Sequence, residues 1–465
     1  MFKWYITING ILKNEPEVWL NYLKGQKLND FPHFIDKKPP HSGLVKQLIK
    51  IPYQLVRLSK NNSQFKTKES SIFDYYMYAG SSNQLNSLTS TALALKQQGQ
   101  LVNFTTYDHL IPNTNHAISY TILSLTLLDV LKSLMLTILH GPRLFKELLR
   151  IDPIIIKYWF AEFCLTYPYL VYFERILSDN KPELVITSND HNVQNRCLLA
   201  VASKLNIKTA YIQHASVSNL FPALTVDYAF LDGNSSLDTY KQCSNNLIKT
   251  NLKPSHTTVF LSGQKKILYS KVRNDANSIK VIGIAVNSLD NINNVIELAK
   301  YLIDLDLKVV IRWHPAQSPN DINRIKKSLN QLNLISFSDS KHELVSDFLN
   351  RITWLIAGNS SIHLEAALAG VNTLYYETSH QTKPDYYGYV KAGLALSVSG
   401  IEDIPNIVLA ADSFNEQNIK TREKAIKYYS STYNTEWEGK EGKLVSECLI
   451  AIKNGTPPPI KAQIL

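Results

Sequence analysis

The strongest constraint in this chain is an alternation. Short runs that are apolar on both faces take turns with longer stretches whose apolar residues recur at helical spacing. A strand apolar on both faces must be covered on both sides, so the pattern calls for parallel sheets wrapped by helices. The alternation comes in two blocks. The first opens with DYYMYA (74–79), a Gly80-Ser81-Ser82-Asn83 turn, a helix over 84–97 and LVNFTTY (101–107), which together read as a βαβ unit. Two long helical stretches follow, about 116–149 and 153–179, broken at Gly141-Pro142 and Pro153. The block resumes with LVITS (184–188), a helix over 192–204, KTAYIQ (208–213), VDYAFL (226–231) and TTVFLS (257–262).

A polar linker near 265–278 precedes the second block. There KVIGIAV (280–286), KVVIRW (308–313), ISFSD (335–339), ITWLIA (352–357) and NTLYY (372–376) read as strands. Helices over 291–304, 319–331, 342–350 and 361–369 separate them, and 415–453 is mostly helical and charged. The expected fold class is α/β, with two Rossmann-like doubly wound domains facing each other across a cleft. The expected divisions are a basic, partly helical extension over 1–72 and a first, acceptor-side domain over 73–270 with a helical insertion at about 116–179. A second, donor-side domain over 279–414 follows, then C-terminal helices and a tail over 415–465.

Charge narrows the partners. Of the net +10, most sits at the front: residues 1–72 hold twelve Lys/Arg against five Asp/Glu, while the other 393 residues hold 37 against 34. A near-neutral body argues against a nucleic-acid binder and for one local anionic partner. Residues 37–68 carry eight Lys/Arg and no acid, and LVKQLIKIPYQLVRL (44–58) interleaves apolar and basic residues, with Pro52 as a kink. One reading is an interfacial helix on an anionic membrane surface. The other is a solvated helix packed on the body by its apolar stripe.

No stretch reads as a membrane span, because Asp129 and Lys132 sit in the middle of the best candidate, 117–139. The opening residues lack the apolar core of a signal peptide. Cys164, Cys197, Cys243 and Cys448 are far apart and form no CxxC pair, which fits a reducing compartment. The expected location is the cytoplasm, peripheral at the inner membrane face.

Ligands of open parallel sheets bind beyond the carboxyl ends of the strands. The polar residues there are Asn189, Asp190 and His191 after 184–188, and His214 after 208–213. His314 and Pro315 follow 308–313, and Gly358, Asn359, Ser360 and Ser361 follow 352–357. The last four form a small polar loop entering a helix, a setting that offers backbone N–H groups to phosphate. Plain N-capping by either serine is the competing explanation. His314 at a neighbouring strand end can donate to the same anion, with Pro315 fixing the turn. Glu365, four residues beyond Ser361, can accept from ribose hydroxyls or simply favour a helix start. In the first block His214 suits proton abstraction near neutral pH, and Asp190 either shares that task or orients an imidazole. Ser81, Ser82 and His191 are further acceptor-side candidates.

No metal is expected: there is no HExxH, and Asp304-Leu305-Asp306 precedes its strand, at the wrong edge of the sheet. No GxxxxGK[ST] loop occurs, and no cofactor is expected beyond a nucleotide-activated substrate.

IRWHPAQ (311–317), followed by LIAGNSSIHLEAALAGVNTLYY (355–376), resembles the His-Pro and Ser-Ser motifs of bacterial transferases that use cytidylate donors. These are the polysialyltransferases, Kdo-type capsule transferases and teichoic-acid glycerophosphotransferases. TAYIQHASVS (209–218) is similar to a His-Gly segment of the last group, with Ala215 where many relatives have Gly. Gly358 and Asn359 replace the usual Asp-Tyr, and Leu231-Asp232-Gly233 only partly echoes an acidic-acidic-Gly motif.

The resemblance covers about residues 180–380. It implies the GT-B fold, with the nucleotide held mainly by the second domain. It also implies His314, Ser360 and Ser361 on the donor phosphate and His214 as the acceptor-side base. The function it implies is an inverting, metal-independent glycosyltransferase. The donor would be a CMP-activated nonulosonic acid or Kdo-like sugar, and the acceptor a surface or lipid-linked glycan. The alternatives are a CDP-polyol phosphotransferase, a UDP- or GDP-sugar transferase, and a non-catalytic glycan-binding subunit of the same fold.

Overall fold

A computed structural model describes residues 3–14, 43–59, 73–111, 118–151, 153–190, 192–219, 221–248, 256–264, 280–379, 384–409 and 416–465. The linker at 265–278, His191, and the 37–42 and 60–68 parts of the basic segment lie outside them.

The first sheet has eight strands: β1 (Tyr75–Tyr78), β2 (Val102–Thr106), β3 (Tyr120–Ile122), β4 (Leu184–Thr187), β5 (Lys208–Ile212), β6 (Tyr228–Leu231), β7 (Thr258–Leu261) and β14 (Gln463–Ile464). Their order is β14-β7-β6-β5-β4-β1-β2-β3, parallel except for the antiparallel edge β14. The period-2 alternation sorts β1 between two cores. Tyr76 and Tyr78 face one core with Phe173 and Val185, while Tyr75, Met77 and Ala79 face the other with Phe104 and Ile186.

The second sheet is wholly parallel: β8 (Val281–Val286), β9 (Lys308–Trp313), β10 (Ile335–Ser338), β11 (Trp354–Ala357), β12 (Asn372–Tyr375) and β13 (Leu396–Ser397), in the order β10-β9-β8-β11-β12-β13. In each sheet the order reverses beside the first strand. The switch points therefore fall between β1 and β4 and between β8 and β11.

The helices of the first half are α1 (Lys3–Asn14), α2 (Leu44–Ser59), α3 (Ser82–Gln97), α4 (Leu127–Ile151), α5 (Pro153–Cys164), α6 (Thr166–Asn180), α7 (Val193–Lys204) and α8 (Asn234–Ile248). Those of the second are α9 (Ile292–Asp304), α10 (Pro319–Leu329), α11 (Val345–Asn350), α12 (Ile362–Leu368), α13 (Ile404–Leu409), α14 (Glu416–Tyr429) and α15 (Glu441–Asn454).

Three sequence expectations change here. The stretch 116–149 is not one helix: β3 occupies 120–122, pairing with β2, and α4 starts at Leu127. Its start is set by Asp129 and Thr126, which accept each other's backbone N–H at 2.9 and 3.1 Å. Nor does Gly141-Pro142 break α4, which runs through it to Ile151. Pro142 is on the exposed side, where water can satisfy the carbonyl its missing N–H leaves over. The carboxylate at the head of α4 is also used internally, since Asp129 is fully buried and pairs with Arg175 Nε at 3.1 Å.

The third change concerns the N-terminal extension, whose described helices belong to the first domain. Ile8, Ile11 and Leu12 of α1 and Ile51 and Leu55 of α2 join the core that contains Tyr76 and Phe173. Gln47 of α2 donates to Tyr158 O at 2.9 Å and accepts from Ala161 N–H at 3.1 Å, pinning α2 to α5. All four cysteines are buried and free.

The chain crosses back at its end. At the end of α14, residues 428–432 dock on the first domain, where Ser431 N–H donates to Asp232 O at 2.8 Å and Ser430 Oγ accepts from Gln264 N–H at 3.2 Å. This contact explains two glycines. A Cβ at Gly233 would lie 2.5 Å from Tyr428 O, and Gly263, at φ +73°, faces Thr432 Oγ1 with no room for a side chain. α15 then packs on α3, with Gln98 donating to Ser446 Oγ at 2.8 Å and Lys453 Nζ bonded to Asp74 at 2.6 Å.

Candidate functional site

Sequence places the second-domain candidates at strand ends, and the topology brings those ends together. His314 follows β9, and a tight turn holds it: Gln317 N–H donates to His314 O at 2.8 Å, with Pro315 at the position whose φ proline presets. Ser318 then caps α10 by accepting from Asp321 N–H at 3.1 Å. The His314 side chain is exposed, and its Nδ1 accepts from Ala316 N–H at 3.1 Å. With Nδ1 an acceptor, the neutral ring carries its proton on Nε2 and presents a donor.

Gly358 to Ser361 follow β11, two strands from β9, a backbone separation of roughly 10 Å. The strand between them is β8, and its end supplies a residue that the sequence reading passed over. Asn287 Nδ2 donates to Asn359 O at 2.9 Å across the switch point. The rule that found His314 also finds Asn287, had it been applied to β8. Asn359 is tied on its other side as well: its Nδ2 donates to Glu377 at 2.9 Å, and its Oδ1 accepts from Tyr386 N–H at 2.7 Å.

The two serines do little capping. Ser361 makes no side-chain cap, and Ser360 Oγ accepts from Ile362 N–H only at 3.5 Å. From below, His363 locks the loop. This fully buried ring donates from Nε2 to Ala357 O at 3.2 Å and Gly358 O at 3.1 Å, and burial lowers its pKa to about 4. His363 is a positioning residue that strand-end reasoning does not reach, because it lies one turn inside the helix. Glu365 is largely buried and interacts electrostatically with Arg312 and Tyr389. That leaves little of its carboxylate to meet a ribose.

Asp290 also sits behind this loop. Its Oδ2 accepts from Asn287 N–H at 2.6 Å. Burial, with Glu377 adding to it, raises its pKa to about 6, against the lowering effect of the Asn287 and Thr378 hydrogen bonds. A folded-state pKa above the unfolded one means that the folded chain binds the extra proton between about pH 4 and 6. The Asp290 contribution is therefore present below pH 4 and lost as pH rises through 6. Asp290→Asn keeps the acceptor without the charge. It is expected to be more stable than the native chain above pH 6, by about 2–3 kcal/mol. At pH 4 the two should match. Urea unfolding at both pH values checks this, and an equal difference at both would remove the assignment.

In the first domain Ser81 caps α3, accepting from Gln84 N–H at 3.4 Å, while Gln84 Oε1 accepts from Gly80 N–H at 2.8 Å. This reciprocal arrangement resembles a capping box and accounts for Ser81 without a ligand. Ser82 is exposed on the first turn. Asp190, after β4, is buried and lies near Tyr211, Tyr240 and Cys243, all three of which its charge affects. His214, after β5, is half-buried. Its neighbour Gln213 bonds Ala215 O at 3.0 Å and accepts from Asp232 N–H at 2.9 Å, bracing the loop against the end of β6.

The two domains meet at these loops. A pocket enclosing about 320 Å³, part of it open to solvent, is lined by Gln213, Ser216 and Asp232 from the first domain and by Leu364, Tyr389 and Tyr429 from the second side. Ser216 Oγ and Tyr389 OH are 2.9 Å apart, and Tyr386 is hydrogen-bonded to Ser218. The segment whose Tyr386 N–H donates to Asn359 therefore also touches the loop after His214. Tyr386, Tyr387 and Tyr389 had no sequence signal except their density. Among the described residues, no group of three or more His, Cys, Asp or Glu side chains is arranged to hold a metal ion.

No family model and no curated protein matches the sequence. Solved structures do match in shape. A UDP-N-acetylglucosamine 2-epimerase is similar over 84% of this chain and 99% of its own, at 14% identity and a TM-score of 0.51. A Listeria monocytogenes protein described as the same kind of epimerase gives 83%, 97%, 13% and 0.51. The glycotransferase of kitacinnamycin gives 82%, 98%, 10% and 0.50. Two doubly wound parallel domains, a cleft between their strand ends and a C-terminal helix returning to the first domain give this chain the GT-B fold.

Proposed function

We propose that this chain is an inverting, metal-independent glycosyltransferase that takes its sugar from a nucleotide-activated donor. The observation that carries the reading is the pairing of two strand-end loops across one cleft. The segment after β12 meets the loop after β5 through the Tyr389–Ser216 contact, and Leu364 of helix α12 lines the same pocket. In this reading the second domain holds the donor. His314 Nε2–H, the backbone of Asn359 and the Ser360 and Ser361 hydroxyls take the phosphate, while Pro315 and Gly358 shape the turns around it. The first domain holds a glycan or lipid-linked glycan acceptor. His214, half-buried between the pocket-lining Gln213 and Ser216, removes the proton from the acceptor hydroxyl; it suits this better than Asp190, which is buried. The new glycosidic bond forms as the bond from the sugar to the phosphate breaks. His314 and the serines stabilise the charge that collects on the departing phosphate.

The His-Pro and Ser-Ser motifs support a CMP-activated nonulosonic acid or Kdo-like donor and a bacterial surface glycan such as capsule or O-antigen as acceptor. A second reading, epimerisation of a UDP-sugar, is favoured by the similarity to two UDP-N-acetylglucosamine 2-epimerases. Calorimetric titration with CMP, CDP, UDP and GDP, followed by product analysis with and without acceptor glycan, separates them. Cytidylate preference and sugar transfer only with acceptor are expected. UDP preference with conversion of the donor alone would establish the second reading. Glycan binding without any nucleotide binding would overturn both and leave a non-catalytic subunit.

A further inference from the structure

The structure leaves one large surface that the transferase reading does not use. Among the described residues, thirteen of the 23 exposed large apolar side chains lie on two helices, α2 and α4. Scattered exposed leucines need no explanation, but a concentration of this kind does.

Both helices expose the same pattern. On α2 the apolar positions Val45, Ile49, Tyr53 and Val56 recur at i, i+4, i+8 and i+11. On α4 Leu127, Leu131, Met135 and Ile138 do the same. At 100° per residue each set forms one stripe along its helix. Val45, Leu127 and Ile138 are 70%, 77% and 74% exposed, so these are outward faces and not the margins of a core. The opposite faces are packed: Gln47, Ile51 and Leu55 of α2 and Leu136, Leu144 and Leu148 of α4 are buried. The helices adjoin, since Leu125 N–H, just before α4, donates to Leu58 O of α2 at 3.2 Å.

Charge identifies the occupant. The helices of this face, α1, α2, α4 and α5, hold ten Lys/Arg and three Asp/Glu. All three acids are in ion pairs: Asp129 with Arg175, Glu147 with Arg150 and Glu162 with Lys50. Lys46, Arg57, Arg143, Lys146 and Lys157 are exposed around the apolar stripes. A second copy of the same face would bring these cations against one another, whereas an anionic bilayer satisfies both features at once. Apolar side chains enter the headgroup boundary while the basic residues meet lipid phosphates. No helix among the described residues is long and apolar enough to cross a membrane, so the contact is one of lying on the surface.

We propose that the paired outer faces of α2 and α4 form a docking surface for an anionic lipid bilayer. The surface extends the basic α2 segment by a second helix that begins 83 residues further along the chain (127 against 44), and it stands whether or not the transferase chemistry does. The test is co-sedimentation of the full chain with phosphatidylcholine vesicles, with and without phosphatidylglycerol. Binding to the anionic vesicles is expected, falling as salt is raised. Combining Ile49→Asp with Ile138→Asp should weaken it at least tenfold while circular dichroism stays unchanged, because both side chains already face solvent. Lys46→Glu with Arg57→Glu should reduce binding to the level seen with phosphatidylcholine alone. Native affinity in the Ile49/Ile138 variant, or no vesicle binding by the native chain, would overturn the proposal. A dimer in solution that the same substitutions disperse, without vesicle binding, would assign the face to a second copy.

Discussion

Replacing His314 with alanine is expected to lower turnover by about 10²–10³-fold while the protein stays folded. The side chain is exposed, and its hydrogen bond from Ala316 N–H lies within its own turn. Its removal therefore costs the fold little. In the proposed mechanism the cost falls on the reaction, because the Nε2–H donor is lost where charge collects on the leaving phosphate. His314→Gln retains a donor on a longer arm and should recover part of the rate. Steady-state turnover together with thermal unfolding checks both variants. Turnover at the native level in His314→Ala would end the assignment of this residue to the donor phosphate.

The second large effect is structural. Gly233→Ala is expected to destabilise the junction between the domains by about 1–3 kcal/mol. The new Cβ would stand 2.5 Å from Tyr428 O and 2.7 Å from the Tyr429 backbone. Those are backbone atoms at the end of α14 and cannot swing aside as a side chain would. The crossing segment must shift, and with it the Ser431–Asp232 hydrogen bond and Tyr429, which lines the interdomain pocket. Activity should fall with stability. Gly141→Ala is the control: its Cβ meets nothing nearer than Thr137 Cγ2 at 3.8 Å, and it lies inside α4. It should raise stability by about 1 kcal/mol, as alanine does over glycine in a helix. Equal melting of the two variants would mean that the crossing segment carries no stability of its own.

The fold was legible because its signals are local. A run such as LVITS, apolar on both faces, has few alternatives to a buried parallel strand, and the observed β4 lies within it. Strand-end positions follow from the same runs, which is why His314, Asn359, Ser360 and His214 stand just beyond observed strands. The errors have equally definite causes. The 116–149 stretch has helical spacing throughout, and only pairing with β2 makes 120–122 a strand. Pro142 reads as a break, yet a proline on a hydrated helix face loses little.

What the sequence determined by itself was therefore the set of elements and the polar residues at their ends. The tertiary structure decided which ends become neighbours and which side chains remain accessible. Crossovers put β8 between β9 and β11, so Asn287 bridges to Asn359, although it was not singled out beforehand. Packing buried Asp190 and Glu365, two groups that the pattern left as equals of His214 and His314. It also drew α1 and α2 into the first core and left the outer faces of α2 and α4 uncovered. The physical reason is common to all of these. Periodicity states that a face is buried or exposed, but not against what. That depends on contacts between residues far apart in the chain, which only the folded arrangement specifies.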